Sequence, residues 1–241
     1  MPTLDIVLSP ALWHLQDAKD KNIVVIDIFR ATSTIAAALM SGASAVHPVE
    51  KADQAKVLGQ KGYLTAGERN GLPLEGFDFG NSPVLIQDER IKGKKLALTT
   101  TNGTKCFEMA KQAEALQIFS GAFSNIKATA IALINDHQDV VLFCAGWKEQ
   151  ANLEDTLFAG ALYTMLKGQF VAGSDAVLMA EDVYLRAEIQ GLKFVLSESS
   201  HFKRLEKYGA ERDMDFSLKL NLLNQCVILH NDELVLSSAV N

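Results

Sequence analysis

The 241-residue chain reads as an α/β protein with a largely parallel or mixed sheet flanked by helices. Short apolar runs alternate with helical patterns as far as Gln190, as strands joined by crossover helices require. Some of those runs, Val24–Ile26 and Val140–Phe143 among them, are apolar at every position, which suits strands covered on both faces. Past Gln190 the alternation stops, and the chain closes with a hairpin pattern.

Each element follows from its own pattern. Leu4–Leu8 and Asn22–Asp27 are expected strands. Ala31–Ser41 is an apolar helix, Ser44–Val49 a strand, Ala52–Gln60 an amphipathic helix and Gly62–Ala66 a short strand. Residues Gly67 to Pro83 are rich in Gly and Pro and predict a long loop, a length that usually serves function or stays disordered. Lys94–Thr99 is a strand and Gly103–Lys111 a helix. Ala115–Phe119 follows as a strand, Asn125–Asn135 as a helix and Asp139–Cys144 as a strong strand. Helices cover Leu153–Leu166, Asp175–Gln190 and Ser199–Tyr208. Val227–His230 and Glu233–Leu236 form a hairpin across Asn231–Asp232. No fixed-period repeat, low-complexity tract or linker interrupts the chain, so residues 1–241 are expected to form a single domain.

Composition excludes several classes. Lys and Arg number 23 against 29 Asp and Glu, a net charge of −6, with no long basic run. Nucleic acid is therefore not an expected partner. No uninterrupted apolar stretch reaches membrane-spanning length, and the N-terminus lacks a basic segment followed by an apolar core. Cys106, Cys144 and Cys226 are odd in number and far apart, which fits reduced thiols and a cytoplasmic location.

Three clusters of polar chemistry follow strong strands. Asp27 ends a buried strand, Arg30 follows, and Thr32, Ser33 and Thr34 open a helix. Hydroxyls and free N–H groups at a helix start suit an oxyanion, and a guanidinium beside them suits phosphate or sulfonate. Capping of a strand-to-helix turn is the plainer reading. Thr99-Thr100-Thr101-Asn102-Gly103-Thr104 repeats the theme without a P-loop lysine. Within the long loop, Glu68 and Arg69 lie between glycines, and Asn81 follows Phe77 and Phe79. After Cys144, the adjacent acids Glu154 and Asp155 start a helix, where they complement its dipole or join Asp27 and Glu68 around a divalent cation. Cys144 is a candidate nucleophile, although no Cys-x5-Arg loop follows it and a small core residue is the alternative. Asp27 lacks the second Asp two residues on that an aspartyl-phosphate enzyme of the haloacid-dehalogenase type needs. The five histidines show no paired metal spacing; His201 near Arg204 can approach an anion or occupy a solvated face.

Four ordered blocks, IDIFRATST, GERNGLPLEGFDFGNSP, TTTNGT and CAGW followed by LEDTLFAG, resemble the signature of the 2-phosphosulfolactate phosphatase family of coenzyme M biosynthesis, across roughly residues 3 to 240. The resemblance implies a three-layer α/β/α fold and a Mg2+-dependent acid phosphatase acting on a small 2-phospho-3-sulfo acid. From the polar clusters above, the expected catalytic residues are Asp27, Arg30, Glu68 and Cys144. Thr32, Ser33, Thr34, Arg69, Asn81, Thr100, Thr101, Asn102, Gly103 and Thr104 are the expected substrate-binding residues. Asp27, Glu68, Glu154 and Asp155 are the expected metal ligands. The alternatives are a protein that binds or senses a small anionic metabolite without hydrolysing it, and a phosphatase for a different phospho-2-hydroxy acid. The apolar C-terminal hairpin is the candidate surface for a homodimer.

Overall fold

A computed structural model of the chain describes residues 1–237. In chain order the elements are β1 (Thr3–Val7), β2 (Asn22–Ile26), α1 (Ala31–Met40), β3 (Ala45–Pro48), α2 (Ala52–Gln60), β4 (Leu64–Arg69) and β5 (Leu72–Pro73). Next come β6 (Lys95–Thr99), α3 (Gly103–Gln112), β7 (Gln117–Gly121), α4 (Ile126–Asp136), β8 (Val140–Cys144), α5 (Leu153–Leu166) and β9 (Val171–Ala172). The chain closes with α6 (Asp175–Gln190), α7 (Leu192–Leu196), α8 (Ser200–Lys207), α9 (Glu211–Ser217), β10 (Cys226–His230) and β11 (Glu233–Ser237).

All eleven strands join one sheet in the order β5-β4-β6-β3-β11-β10-β7-β2-β8-β1-β9. It consists of two parallel blocks. In one, β4, β6 and β3 run together; in the other, β7, β2, β8, β1 and β9 do. The hairpin β10–β11 lies between them, antiparallel to both β7 and β3. Both of its strands are therefore paired with a neighbouring strand within the chain. These pairings make the two blocks nominally opposite in direction. A twist of the usual roughly 20–25° per strand over the five steps from β2 to β6 would accumulate to about 100–125°, and residues at the C-terminal ends of both blocks, Asp27, Glu68 and Asn102, line one cleft.

Helices cover both faces, as the expected three-layer arrangement requires. Along β2, Ile23 and Val25 enter the core shared with α1 and α3, while Val24 and Ile26 enter the core shared with α4 and α5. In β8, Val141 and Phe143 face the first layer; Val140, Leu142 and Cys144 face the second. This two-residue alternation of a wholly apolar strand between two cores is what fixes its register.

The long loop is more structured than its Gly and Pro content suggests. β4 continues through Gly67, Glu68 and Arg69, and turns back into β5. Phe79 is nearly buried and its backbone bonds to Thr65 and Gly67, so the loop folds back onto the sheet.

Candidate active site

A narrow cleft opens where the two blocks meet. Its lining includes Asp27 and Arg30 from the β2–α1 turn, Glu68 from β4, Asn81 from the loop, Asn102 ahead of α3, Trp147 after β8, and His201 and Arg204 from α8. Its enclosed part is about 20 Å³, the size of a water; the rest of the cleft is open to solvent. A larger recess of about 310 Å³ lies around His47 and Lys111, but of the predicted site residues only Thr104 borders it.

The β2–α1 turn is built by its own side chains. Thr32 Oγ1 donates to the Asp27 carbonyl at 2.9 Å and accepts from the Asp27 N–H at 3.2 Å. Ser33 Oγ donates to the Ile28 carbonyl at 2.9 Å. Thr34 Oγ1 is buried with no hydrogen-bond partner among the described residues. The three hydroxyls are buried, and none lines the cleft. Asp27 does line it, with Oδ1 accepting from the Ala31 N–H at 3.3 Å. Gly103 allows α3 to start against this carboxylate: a Cβ there would lie 2.5 Å from Asp27 Oδ2 and 2.9 Å from the Ala31 Cβ. Burial raises Asp27 from its ordinary value near 3.8 to about 6, against the pull of the Ala31 N–H and of His201; Glu68 and Glu154 push it further up. Such a carboxyl changes protonation near the pH at which acid–base catalysts work.

Glu68 ties two loops together. Its Oε1 accepts from Thr101 N–H at 2.7 Å, and its Oε2 accepts from Gly71 N–H at 2.6 Å and Thr101 Oγ1 at 3.1 Å. Arg69 turns away from the cleft, donating to the carbonyls of Glu50 and Glu68 and to Thr99 Oγ1. Thr100 and Thr104 bond each other reciprocally across the start of α3, each N–H donating to the other's hydroxyl at 3.3 Å. Of the threonine-rich block, only Asn102 faces the cleft; its Oδ1 accepts from the Lys148 N–H at 3.3 Å.

The two acids of α5 divide their work. Asp155 is fully buried, Oδ1 accepting from Ile28 N–H at 2.9 Å and Oδ2 from Gly146 N–H at 3.0 Å. It thus pins the exits of β2 and β8 together; burial and the neighbouring Asp27 push its carboxyl well up. Glu154, also fully buried, contacts His201 Nδ1 through Oε1, and its Oε2 has no partner among the described residues. Cys144 is fully buried in the core between these elements, does not line the cleft, and has its thiol raised by burial. A thiolate is the nucleophilic form, so this environment disfavours attack by Cys144.

The C-terminal helices complete the cleft, and sequence patterns did not bring them there. His201, expected on a solvated face or near an anion, is buried against Glu154, with its ring 5.3 Å from that of Trp147. Arg204 lies over Trp147, its Cζ 3.7 Å from the ring centroid. Asp213 of α9 accepts from Arg30 Nη1 at 2.6 Å and from Ser82 Oγ at 2.5 Å. His201 and Arg204 had an amphipathic signal; Asp213 had none, since its partner Arg30 is 183 residues away.

For a divalent cation the donors are few. Among the described residues no three or more His, Cys, Asp or Glu side chains are grouped to hold a metal. Both oxygens of Glu68 and both of Asp155 are taken by N–H or O–H donors. The cleft does present Asp27 and the buried, unpartnered Oδ1 of Asn81. Two oxygen donors of this kind fit Mg2+, which keeps several waters and relies on substrate phosphate for the rest of its shell.

Acids and guanidinium groups meeting at strand ends of a doubly covered sheet place the chain among α/β proteins with a polar cleft where such sheets bind ligands. The comparisons with known proteins narrow the class. The family model of 2-phosphosulpholactate phosphatase matches residues 7–232. A probable 2-phosphosulfolactate phosphatase of Carboxydothermus hydrogenoformans is 38% identical over 226 residues, 92% of this chain and 90% of its own length. Those of Caldanaerobacter subterraneus (37% over 210 residues, 86% of each chain) and Thermotoga maritima (36% over 233 residues, 97% of this chain and 98% of its own) are similar. The chain belongs to the 2-phosphosulpholactate phosphatase family, whose reaction type is phosphoric monoester hydrolysis.

Proposed function

We propose that the chain hydrolyses the phosphate ester of a small acidic 2-hydroxy acid, 2-phosphosulfolactate to sulfolactate, with Mg2+ as cofactor. The observation that carries this reading is the raised Asp27 carboxyl in a cleft shared with Arg30, His201 and Arg204. A pure anion binder gains nothing from a buried carboxylate there, because like charge repels the ligand. A hydrolase gains a base. Asp27, ionised above about pH 6, orients the attacking water and takes its proton. Arg30, braced by Asp213, and Asn102 at the start of α3 offer donors to the phosphoryl oxygens.

Mg2+ would be held by Asn81 directly and by Asp27 through water, which leaves the Asp27 carboxylate free to act as the base. When bound, it would supply positive charge to the phosphoryl group. Glu68 and Asp155 are assigned instead to loop and strand positioning, Glu154 to orienting His201, and Cys144 to the core. A cytoplasmic setting agrees with three buried free cysteines, and no helix among the described residues is long and apolar enough to cross a membrane.

The test is phosphate release from 2-phosphosulfolactate and a panel of phospho-2-hydroxy acids, with Mg2+ and with EDTA. Release that needs Mg2+ and stops on chelation is expected. Saturable binding without release across the panel would establish a sensor instead.

A further inference from the structure

Arg204 differs from the other arginines near the cleft. Arg30 is neutralised by Asp213, and Arg69 is spent on backbone carbonyls and Thr99. Arg204 forms no ion pair with a carboxylate among the described residues, and its Nη2 is buried without a hydrogen-bond partner. Leaving a buried donor unsatisfied costs about 1–3 kcal/mol, and more when the group is charged. The guanidinium is held in place all the same, stacked 3.7 Å from the Trp147 ring centroid at the cleft wall. A cation stacked on an aromatic ring, with no ion pair among the described residues and beside a site for small anions, is a ready seat for an anionic group.

We propose that Arg204, presented by Trp147, binds the sulfonate on C3 of the substrate and so sets the preference for sulfonated over unsulfonated phospho-acids. This rests on the phosphatase reading above. The neighbouring surface favours a sulfonate over the transferred phosphoryl group. Phe29, Trp147, Leu205 and Tyr208 line the same cleft as Arg204, and the buried Glu154 is the acid whose charge reaches it. Aromatic and aliphatic walls hydrate an ion poorly, which suits the singly charged, weakly basic sulfonate better than a phosphate dianion. Arg is the cation that tolerates such a wall, because its planar group is weakly hydrated and stacks on aromatic rings. The phosphoryl group then falls to the side of the cleft with Asp27, Arg30 and Asn102.

The test compares wild type with Arg204→Met and Arg204→Lys on three substrates: 2-phosphosulfolactate, 2-phospholactate (methyl at C3) and 2-phosphomalate (carboxylate at C3). Arg204→Met should lose about 10- to 100-fold in kcat/KM on the sulfonate relative to its change on 2-phospholactate, mainly through KM, as expected for a charge-assisted bond made alike in ground and transition states. Arg204→Lys, which keeps the charge but not the fork, should recover part of that ratio. A second readout does not depend on turnover: sulfolactate binding should change the fluorescence of Trp147 in wild type and not in Arg204→Met, with Trp13, stacked on Phe143, as a constant background. A preference lost for 2-phosphomalate but not for the sulfonate would assign Arg204 to carboxylates and overturn the proposal. Equal losses on all three substrates would overturn it too, moving Arg204 to the phosphoryl or C1 carboxylate group. A wild-type chain inactive on all three would end the phosphatase reading, and this inference with it.

Discussion

Asp27 holds a charge where the folded chain would rather have none. Moving its carboxyl from about 3.8 to about 6 corresponds to about 3 kcal/mol between the two protonation states. The sign follows from linkage. The folded state binds the proton more tightly than the unfolded one, so this stabilisation is fully present below about pH 4 and is lost as pH rises through 6. At neutral pH the ionised carboxylate is a standing cost, the pattern of a site that trades stability for function. Asp27→Asn should therefore abolish turnover while leaving the chain folded, and at pH 7 it should be more stable than wild type by up to about 3 kcal/mol, with that gain shrinking towards pH 4. Urea denaturation at several pH values checks the stability; phosphate release checks the activity. In wild type, kcat/KM should fall in acid as Asp27 takes up its proton, at a pH below about 6 because a cation beside the carboxylate favours its ionised form. Near wild-type turnover in Asp27→Asn would remove the residue from the mechanism. The neighbouring hydroxyls show the opposite outcome. Thr32 and Ser33 had the residue types of an anion cradle, yet their hydroxyls bond the carbonyls of Asp27 and Ile28, the local side-chain-to-backbone bonding that Ser and Thr favour at such turns.

At the scale of elements, much of the sheet was legible and the roof of the cleft was not. β2, β6 and β8 announce themselves as continuous apolar runs, because burial on both faces removes any need for polar alternation. Asp27 and Asn102 could be nominated from their positions after such strands, and Glu68 from the glycines that bracket it in the long loop. The pairing of Arg30 with Asp213 and of Glu154 with His201 could not, since the partners are 183 and 47 residues apart and no local pattern encodes contacts at that range. α7 and α9 are 5 and 7 residues long, too short to show a reliable period. The prediction at this scale concerns α9. Asp213 is nearly buried, and its partners Arg30 and Ser82 belong to the β2–α1 turn and the long loop. Asp213→Ala leaves the part-buried Arg30 guanidinium without its carboxylate and with only the Gly71 carbonyl as acceptor, which should cost at most about 3–5 kcal/mol and reduce activity by freeing Arg30. Asp213→Asn, which keeps an acceptor for Ser82 and Arg30, should cost less. Chemical denaturation of both variants measures the difference; equal, near-zero costs would show that the ion pair is not a brace.

For the whole molecule, the decisive feature is that the last strands to be made occupy the middle of the sheet. β10 meets β7 at the single pair Ile228–Phe119, and β11 meets β3 at the single pair Leu234–Val46. Side chains reinforce these thin joints: Val227 and Leu234 are fully buried in the same core as Val25, Val46 and Leu96. We propose that the chain is one folding unit for this reason, since neither parallel block closes its own edge without the hairpin. Leu234→Ala tests the idea directly. It removes a fully buried side chain at the β11–β3 joint and should cost about 2–5 kcal/mol. Both tryptophans lie on the far side of that joint, Trp13 after β1 and Trp147 after β8. If the two blocks unfold together, the Trp fluorescence midpoint and the far-UV circular dichroism midpoint should coincide in wild type, and both should move to lower urea in Leu234→Ala by the same amount. A circular dichroism transition that splits while the fluorescence midpoint stays in place would mean that the blocks are separate domains, and that the catalytic cleft between them is assembled by docking and not by a common core.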